Sequence, residues 1–174
     1  LALYAMPEAP GPLLLTCMFL LGFLLGGLWA LIPGLLRAKL NVNEVISTLM
    51  MNYIAYELVN YLIFGPWRGE KVWGFPITDE FPEQARLPYV PGLPYPIHYP
   101  TLVLAVSTAL LAYVLLAKTK LGYEIRVVGS NVDAARFAGI SYVRTVAVVM
   151  FLSGGLAGLA GVGEVAGIHH RLRY

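Results

Sequence analysis

Charge is what this sequence has least of. Of its 174 residues only 13% are Asp, Glu, Lys or Arg, while 58% are hydrophobic. Soluble domains carry about 25% charged residues, so a water-exposed surface for a chain of this size is excluded. Cysteine is nearly absent as well. Cys17 stands alone, which rules out an internal disulfide, and its place in an apolar run reads as a small buried hydrophobe. The net charge is +2, with no basic cluster interleaved with aromatics, so no nucleic-acid partner is expected. No G-x-x-x-x-G-K-[ST] phosphate loop and no H-E-x-x-H occur, and no nucleophile and base stand at a recognisable spacing. ATP hydrolysis by this chain, hydrolytic catalysis within the membrane and a bound cofactor are therefore not expected. Glu164 with His169 and His170 reads as interfacial anchoring and not as a zinc site, because adjacent histidines point to different sides of a helix or strand. The opening Leu1-Ala2-Leu3-Tyr4 has no initiator Met and no basic leader, unlike a signal peptide. With an apolar segment running up to Arg173-Tyr174, the chain reads as an internal piece of a longer membrane protein.

Long apolar runs are what it does have, and they give a mean hydropathy of +0.69. A helix needs roughly 20 residues to cross a hydrocarbon core about 30 Å thick. Four runs meet or approach that length: Gly11 to Leu36, Val45 to Phe64, Thr101 to Ala117 and Thr145 to Gly163. Pro33-Gly34 is expected to break or kink the first near its end. Backbone groups in lipid must pair within their own segment, so the runs are helices; the alternating ten-residue strands of a transmembrane barrel do not appear. The fold class is all-α, a polytopic transmembrane bundle with four spans, and residues 1–174 form one transmembrane domain.

The connections differ in charge. Arg37 to Glu44 and Lys118 to Arg144 together hold seven Lys/Arg, against three (Arg68, Lys71, Arg86) in Gly65 to Pro100. The positive-inside rule puts the first two in the cytoplasm and makes 65–100 an extracytoplasmic loop. That outer loop carries the proline-rich run Leu87 to Pro96, which cannot be helical. With Trp67, Trp73, Phe75 and Phe81 it reads as a stiff aromatic cap, either an interfacial belt or a docking surface.

Within the second run Thr48, Asn52, Tyr56 and Asn60 recur every four residues and share one helix face, bordered by Glu57. A charged Glu at mid-membrane costs on the order of 2.5–3.5 kcal/mol on insertion scales, so this face should meet protein or a wet path. It reads as a translocation wall for a polar solute or as helix–helix hydrogen bonding. In the first run Gly22-x-x-x-Gly26, and in the fourth Gly154-x-x-x-Gly158 and Ala157-x-x-x-Gly161, are small faces that let helices approach closely.

In the loop 118–144, Ser130 or Asn131 can cap a helix, Asp133 suits its first turn, and Gly139 suits its end. The result is about two turns, presenting small residues plus Phe137 and Ile140 as apolar knobs, suited either to a groove on another protein or to the membrane face.

Asp133-Ala134-Ala135-Arg136-Phe137-Ala138-Gly139 resembles the EAA-x-x-x-G cytoplasmic signature of ABC importer permeases, with Asp in place of the usual Glu. The stretch from Leu121-Gly122-Tyr123-Glu124 through Gly129-Ser130-Asn131 to Ala138-Gly139-Ile140 is similar to the form in the branched-chain amino acid and simple-sugar permease family. Pro33-Gly34-Leu35-Leu36-Arg37, Asn41-Val42-Asn43-Glu44-Val45-Ile46, Leu49-Met50-Met51-Asn52-Tyr53-Ile54 and Gly65-Pro66-Trp67-Arg68 resemble its nucleoside/simple-sugar branch. The resemblance spans roughly residues 20 to 172. It implies a multi-pass permease subunit in the inner (plasma) membrane of a prokaryote, moving a nucleoside or simple sugar. The implied partners are a cytoplasmic ATP-binding subunit, a second permease subunit (the same or a different chain) and an extracytoplasmic solute-binding protein. It also implies that 118–144 is the coupling loop, with Asn131, Asp133, Ala134, Ala135, Phe137, Gly139 and Ile140 meeting the ATPase. The translocation path would then use Thr48, Asn52, Tyr56, Glu57 and Asn60. A secondary transporter or channel with no ATPase would also explain the polar face and Glu57, but leaves the 131–140 helix without a task.

Overall fold

The computed structural model describes residues 10–69, 78, 80–82, 85–88 and 98–171. Among them every regular element is helical: α1 Gly11–Leu40, α2 Glu44–Phe64, α3 Tyr99–Lys118, α4 Lys120–Ser130, α5 Val132–Phe137 and α6 Tyr142–Glu164, the last running into a π-helical turn, Val165–His169. Trp73, Phe75 and most of the proline-rich run lie outside the described residues, as does Arg173.

The spine is an antiparallel pair, α1 against α6. Glycine makes it possible. A Cβ at Gly26 would lie 2.5 Å from the Gly154 carbonyl oxygen, and one at Gly22 would lie 3.1 Å from that of Gly158. A Cβ at Gly158 would in turn strike the Gly22 carbonyl oxygen. With no side chain between them the backbones touch, which maximises dispersion contact where lipid offers no hydrophobic driving force. Flanking rings fill the rest reciprocally: Phe151 lies against Gly27 and Phe23 against Gly155. The two rings meet edge to face, centroids 5.7 Å apart at 85°, a geometry worth about 0.5–1.5 kcal/mol beyond its area. Further along, Met150 covers Gly34. Gly22-x-x-x-Gly26 and Gly154-x-x-x-Gly158 thus partner each other, while Gly161 of the Ala157-x-x-x-Gly161 motif has nothing within 4 Å of where its Cβ would lie.

Pro33 does not end α1. The α-helix runs 30 residues through it to Leu40, so of the break or kink expected there, the break does not occur. The α1–α6 contact holds both sides of the proline, and the helix terminates at Asn41, at φ 53°, whose backbone N–H donates to the Arg37 carbonyl at 3.1 Å while that of Val42 donates to Leu36 at 3.4 Å.

By length and hydropathy three helices qualify as spans where four were expected, although the chain still passes from the 41–43 corner at one end to residues 80–88 at the other, with α2 the described helix between them. Among the described residues, Gly11–Leu40, Tyr99–Lys118 and Tyr142–His169 are long and apolar enough to cross a membrane. α2 has the length, 21 residues or about 31 Å. Thr48, Asn52, Glu57 and Asn60, with Tyr53, Tyr56 and Tyr61, dilute its apolar character below that of a lipid-facing helix.

Two ends are distinct. At one, residues 80–82 and 85–88 fold onto the tail of α6: Phe81 N–H donates to the His170 carbonyl at 2.8 Å and Leu87 N–H to that of Ala166 at 3.2 Å. Buried Leu14 and Ala85 pack there with Cys17, Met18, Leu21 and Phe81. The other end holds the 41–43 corner and the segment 119–141, and with them the seven Lys/Arg of the first and third loops. Elsewhere the surface is apolar: α3 buries none of its residues, and Leu102, Val103, Val106, Leu110 and Leu111 are all more than half exposed. Such a surface is untenable in water and suits a bilayer. The chain is a multi-pass membrane protein.

Candidate functional site

The segment 119–141 is built from local signals. α3 stops at Thr119, whose hydroxyl donates to the Leu115 carbonyl at 2.6 Å and accepts from Gly122 N–H at 3.2 Å. The chain turns so tightly that a Cβ at Gly122 would strike the Leu115 and Leu116 carbonyl oxygens. Arg126 reaches back and donates to the Leu116 carbonyl at 2.9 Å, placing a cation at a helix C-terminus, where the dipole favours it. α4 follows, with Leu121, Ile125 and Val128 half-buried. The sequence reasoning missed this helix. The signal was present as the apolar spacing 121, 125, 128 behind a Thr N-cap.

α5 is where the 130–139 reading expected a helix. Asn131 caps it, its Oδ1 accepting from Asp133 N–H at 2.9 Å and Ala134 N–H at 3.1 Å. Its C-terminus is a Schellman motif. Gly139 sits at φ +74° and donates to the Arg136 carbonyl at 3.0 Å, while Ile140 donates to that of Ala135 at 2.9 Å. A residue with a Cβ would be strained at that φ, although nothing lies within 4 Å of where the Cβ would go. Asp133 and Arg136 pair across one turn at 3.6 Å, an exposed contact worth at most a few tenths of a kcal/mol.

The helix divides its residues cleanly. Ala135 is fully buried and seats α5 on the rest of the fold. Phe137 is 95% exposed, an aromatic side chain that the described residues leave uncovered, with exposed Asp133 and Ala134 beside it and Ile140 half-buried. Asn131→Ala removes the cap, which costs about 1 kcal/mol. Hydrogen exchange at the Asp133 and Ala134 amides should speed up by about fivefold while the α1 and α6 amides keep their protection. Unchanged exchange at both amides would show that Asn131 does not hold the turn.

The second set of sequence-predicted residues lies on α2. Thr48 uses its hydroxyl on its own helix, donating to the Glu44 carbonyl at 2.7 Å. Thr48, Asn52, Tyr56 and Glu57 are exposed and Asn60 is half-buried, so they form one face but line no enclosed cavity with other described elements. α2 is tethered at its start, where Arg37 pairs with Glu44 at 2.9 Å and Arg37 donates to Asn41 at 3.2 Å. The two candidate sets are not brought together in space.

Sequence reasoning also missed His98. It precedes α3, is 8% exposed, and its Nδ1 lies 3.1 Å from the Leu87 carbonyl oxygen. No periodicity marks it, because residues 85–88 folding back are what bury it. Of the residues read as interfacial anchors, Glu164 is exposed and His170 turns its Nδ1 onto the Ala166 carbonyl at 3.0 Å.

Comparison with known proteins places this geometry. The family described as branched-chain amino acid transport system / permease component matches residues 1–171. The chain is 40% identical over 172 residues to the glucose ABC transporter permease protein TsgB13 of Haloferax volcanii, covering 94% of this chain and 45% of that protein. It is 40% identical over 146 residues to the guanosine ABC transporter permease protein NupP of Bacillus subtilis, covering 82% and 40%. It is 33% identical over 167 residues to the nucleoside ABC transporter permease protein NupB of Lactococcus lactis, covering 90% and 44%. The chain thus spans less than half the length of these curated relatives. No solved structure matches it significantly. The chain belongs to the branched-chain amino acid transport system / permease component family.

Proposed function

We propose that this chain is part of the membrane-spanning permease of an ATP-binding cassette importer for a nucleoside or simple sugar, in the inner (plasma) membrane of a prokaryote. The observation that carries the reading is Phe137. An aromatic side chain 95% exposed, on a helix capped at both ends, is what a protein groove on a second subunit would cover. Asn131, Asp133, Ala134, Ala135, Phe137, Gly139 and Ile140 then form the coupling surface for a cytoplasmic ATP-binding subunit. The segment 118–144 is cytoplasmic and 65–100 extracytoplasmic, in keeping with the seven Lys/Arg at the coupling end. The hydrolysing machinery resides in that partner. A second permease subunit, identical or homologous, covers the exposed polar face of α2, so that Thr48, Asn52, Tyr56, Glu57 and Asn60 line a path between subunits. A solute-binding protein delivers the substrate at the outer end. The relatives named for glucose, guanosine and nucleosides support sugars and nucleosides as the substrate class.

Thiol labelling tests the orientation. With Cys17 replaced by Ala, Asp133→Cys in the full-length permease should react with a membrane-impermeant maleimide in inverted vesicles and not in intact cells. Labelling of intact cells would put α5 outside and defeat the importer reading.

A further inference from the structure

Of the cations at the end that holds 119–141, Arg37 is paired with Glu44 and Arg136 with Asp133. Three others gather at one corner without such partners. Lys118 is the last residue of α3 and Lys120 the first of α4. Arg126 folds back on the same corner, its Nη1 donating to the Leu116 carbonyl at 2.9 Å. All three side chains are exposed, and none forms an ion pair among the described residues. Glu124 stands four residues after Lys120, the spacing of a helical ion pair, yet it is half-buried and makes none. Like charges gathered in this way repel one another unless a counter-anion joins them. The bond to Leu116 occupies Nη1 alone, so the Nε–Nη2 edge of Arg126 has no partner among the described residues. That edge is the one that grips two phosphate oxygens at once.

The helix that leads away from this corner is aliphatic and uncovered. α3 buries none of its residues. Val103, Ser107, Leu111 and Val114 are all exposed and recur at three- and four-residue spacing, with Lys118 four residues beyond. They therefore form one stripe with Lys118 at its foot. Ser107 adds no free donor, because its hydroxyl donates to the Leu104 carbonyl at 2.9 Å. None of the four lines the groove between α3 and α6. At 20 residues, or about 30 Å, α3 matches the thickness of a hydrocarbon core, which puts the corner at the depth of the lipid headgroups.

We propose that the α3–α4 corner is a docking site for an anionic phospholipid. Lys118, Lys120 and Arg126 hold the headgroup phosphate, and an acyl chain lies along Val114, Leu111 and Val103. The occupant must bring an anion and an aliphatic chain in that order along the membrane normal. A soluble anion lacks the chain. A zwitterionic lipid brings its own ammonium to three cations and is held less well. The inference goes beyond the importer reading and does not depend on it, since it needs only that α3 crosses the bilayer.

Native mass spectrometry of the purified full-length permease, titrated with dioleoyl phosphatidylglycerol or dioleoyl phosphatidylcholine, reads the site without transport. Each cation at the surface is worth about a fivefold gain for an anionic lipid, so phosphatidylglycerol should bind about a hundredfold more tightly than phosphatidylcholine. Lys118→Gln alone should cut that preference about fivefold, and Lys118→Gln with Lys120→Gln should leave about fivefold of it. Arg126→Lys, which keeps the charge and loses the planar edge, should weaken phosphatidylglycerol by about threefold. Leu111→Ser, which spares the cations, should weaken both lipids alike. Lys39→Gln removes a charge from the same end but from α1, and should leave the preference within about twofold. A loss with Lys39→Gln equal to that with Lys118→Gln would mean a diffuse surface potential and would overturn the site. So would equal binding of the two lipids, or displacement of phosphatidylglycerol by inorganic phosphate. No bound phosphatidylglycerol at all, the result if another part of the full-length permease covers the corner, would overturn it as well.

Discussion

Phe137→Ala in the assembled importer is expected to reduce solute uptake by about thirtyfold while leaving the amount of permease in the membrane unchanged. Removing a central aromatic anchor from a protein interface costs on the order of 2 kcal/mol or more. The cost to the permease fold itself should be close to nothing, because the side chain is 95% exposed and has almost no contact to lose among the described residues. That separation makes the experiment decisive. Uptake, ATPase stimulation by substrate and co-purification of the ATP-binding subunit should fall together, with immunoblot levels constant. Wild-type uptake by the variant would remove Phe137 from the contact and weaken the coupling assignment for all of 131–140. A fall in protein level would mean that the ring is covered by another part of the full-length permease.

The opposite pattern is expected for Gly158→Leu. Two effects compete there. Leu is the better helix former, by about 1 kcal/mol, which by itself would stabilise α6. Against this, even the first carbon of the new side chain would strike the Gly22 carbonyl oxygen. A backbone oxygen cannot swing away as a side-chain tip can, so α1 and α6 must separate. Overpacking costs about 1–3 kcal/mol where neighbours can adjust, and here the whole interface, including the Phe23–Phe151 pair, opens with it. The clash wins. Membrane levels of the full-length protein should drop by at least about tenfold, with uptake falling in proportion. Gly161→Leu on the same helix is the control: nothing lies within 4 Å of the position its Cβ would take, so levels should hold. Normal expression of Gly158→Leu would contradict the close approach of the two helices.

How much of this was legible in the sequence varies with how local the cause is. The α5 turn was readable residue by residue, because its cap, first-turn acid and terminal glycine all act within ten positions. The α1–α6 contact was half readable. Glycine spacing announced two close-packing faces, but not that they pack against each other. α2 was read as being as apolar as the other runs because a stretch interrupted by one Glu looks apolar by eye, while its asparagines lower hydropathy about as much as charges do and its tyrosines lower it further. α4 was overlooked because its charges, Lys120, Glu124 and Arg126, drew attention to topology and away from the apolar spacing beneath them. His98 was illegible for a different reason. Its burial depends on residues 85–87 and 165–167 arriving from far along the chain, and no local pattern encodes that meeting.

The corner at Thr119 has a mechanical consequence. α4 is 11 residues long, about 16 Å, and is clasped at its root by Gly122 and by Arg126 on the Leu116 carbonyl. That geometry is the geometry of a lever. A swing of about 10° at the root carries the far end, and α5 with it, through about 3 Å. Because α4 also touches α6, a displacement of α5 would reach α3 through the Thr119 corner and α6 through that contact.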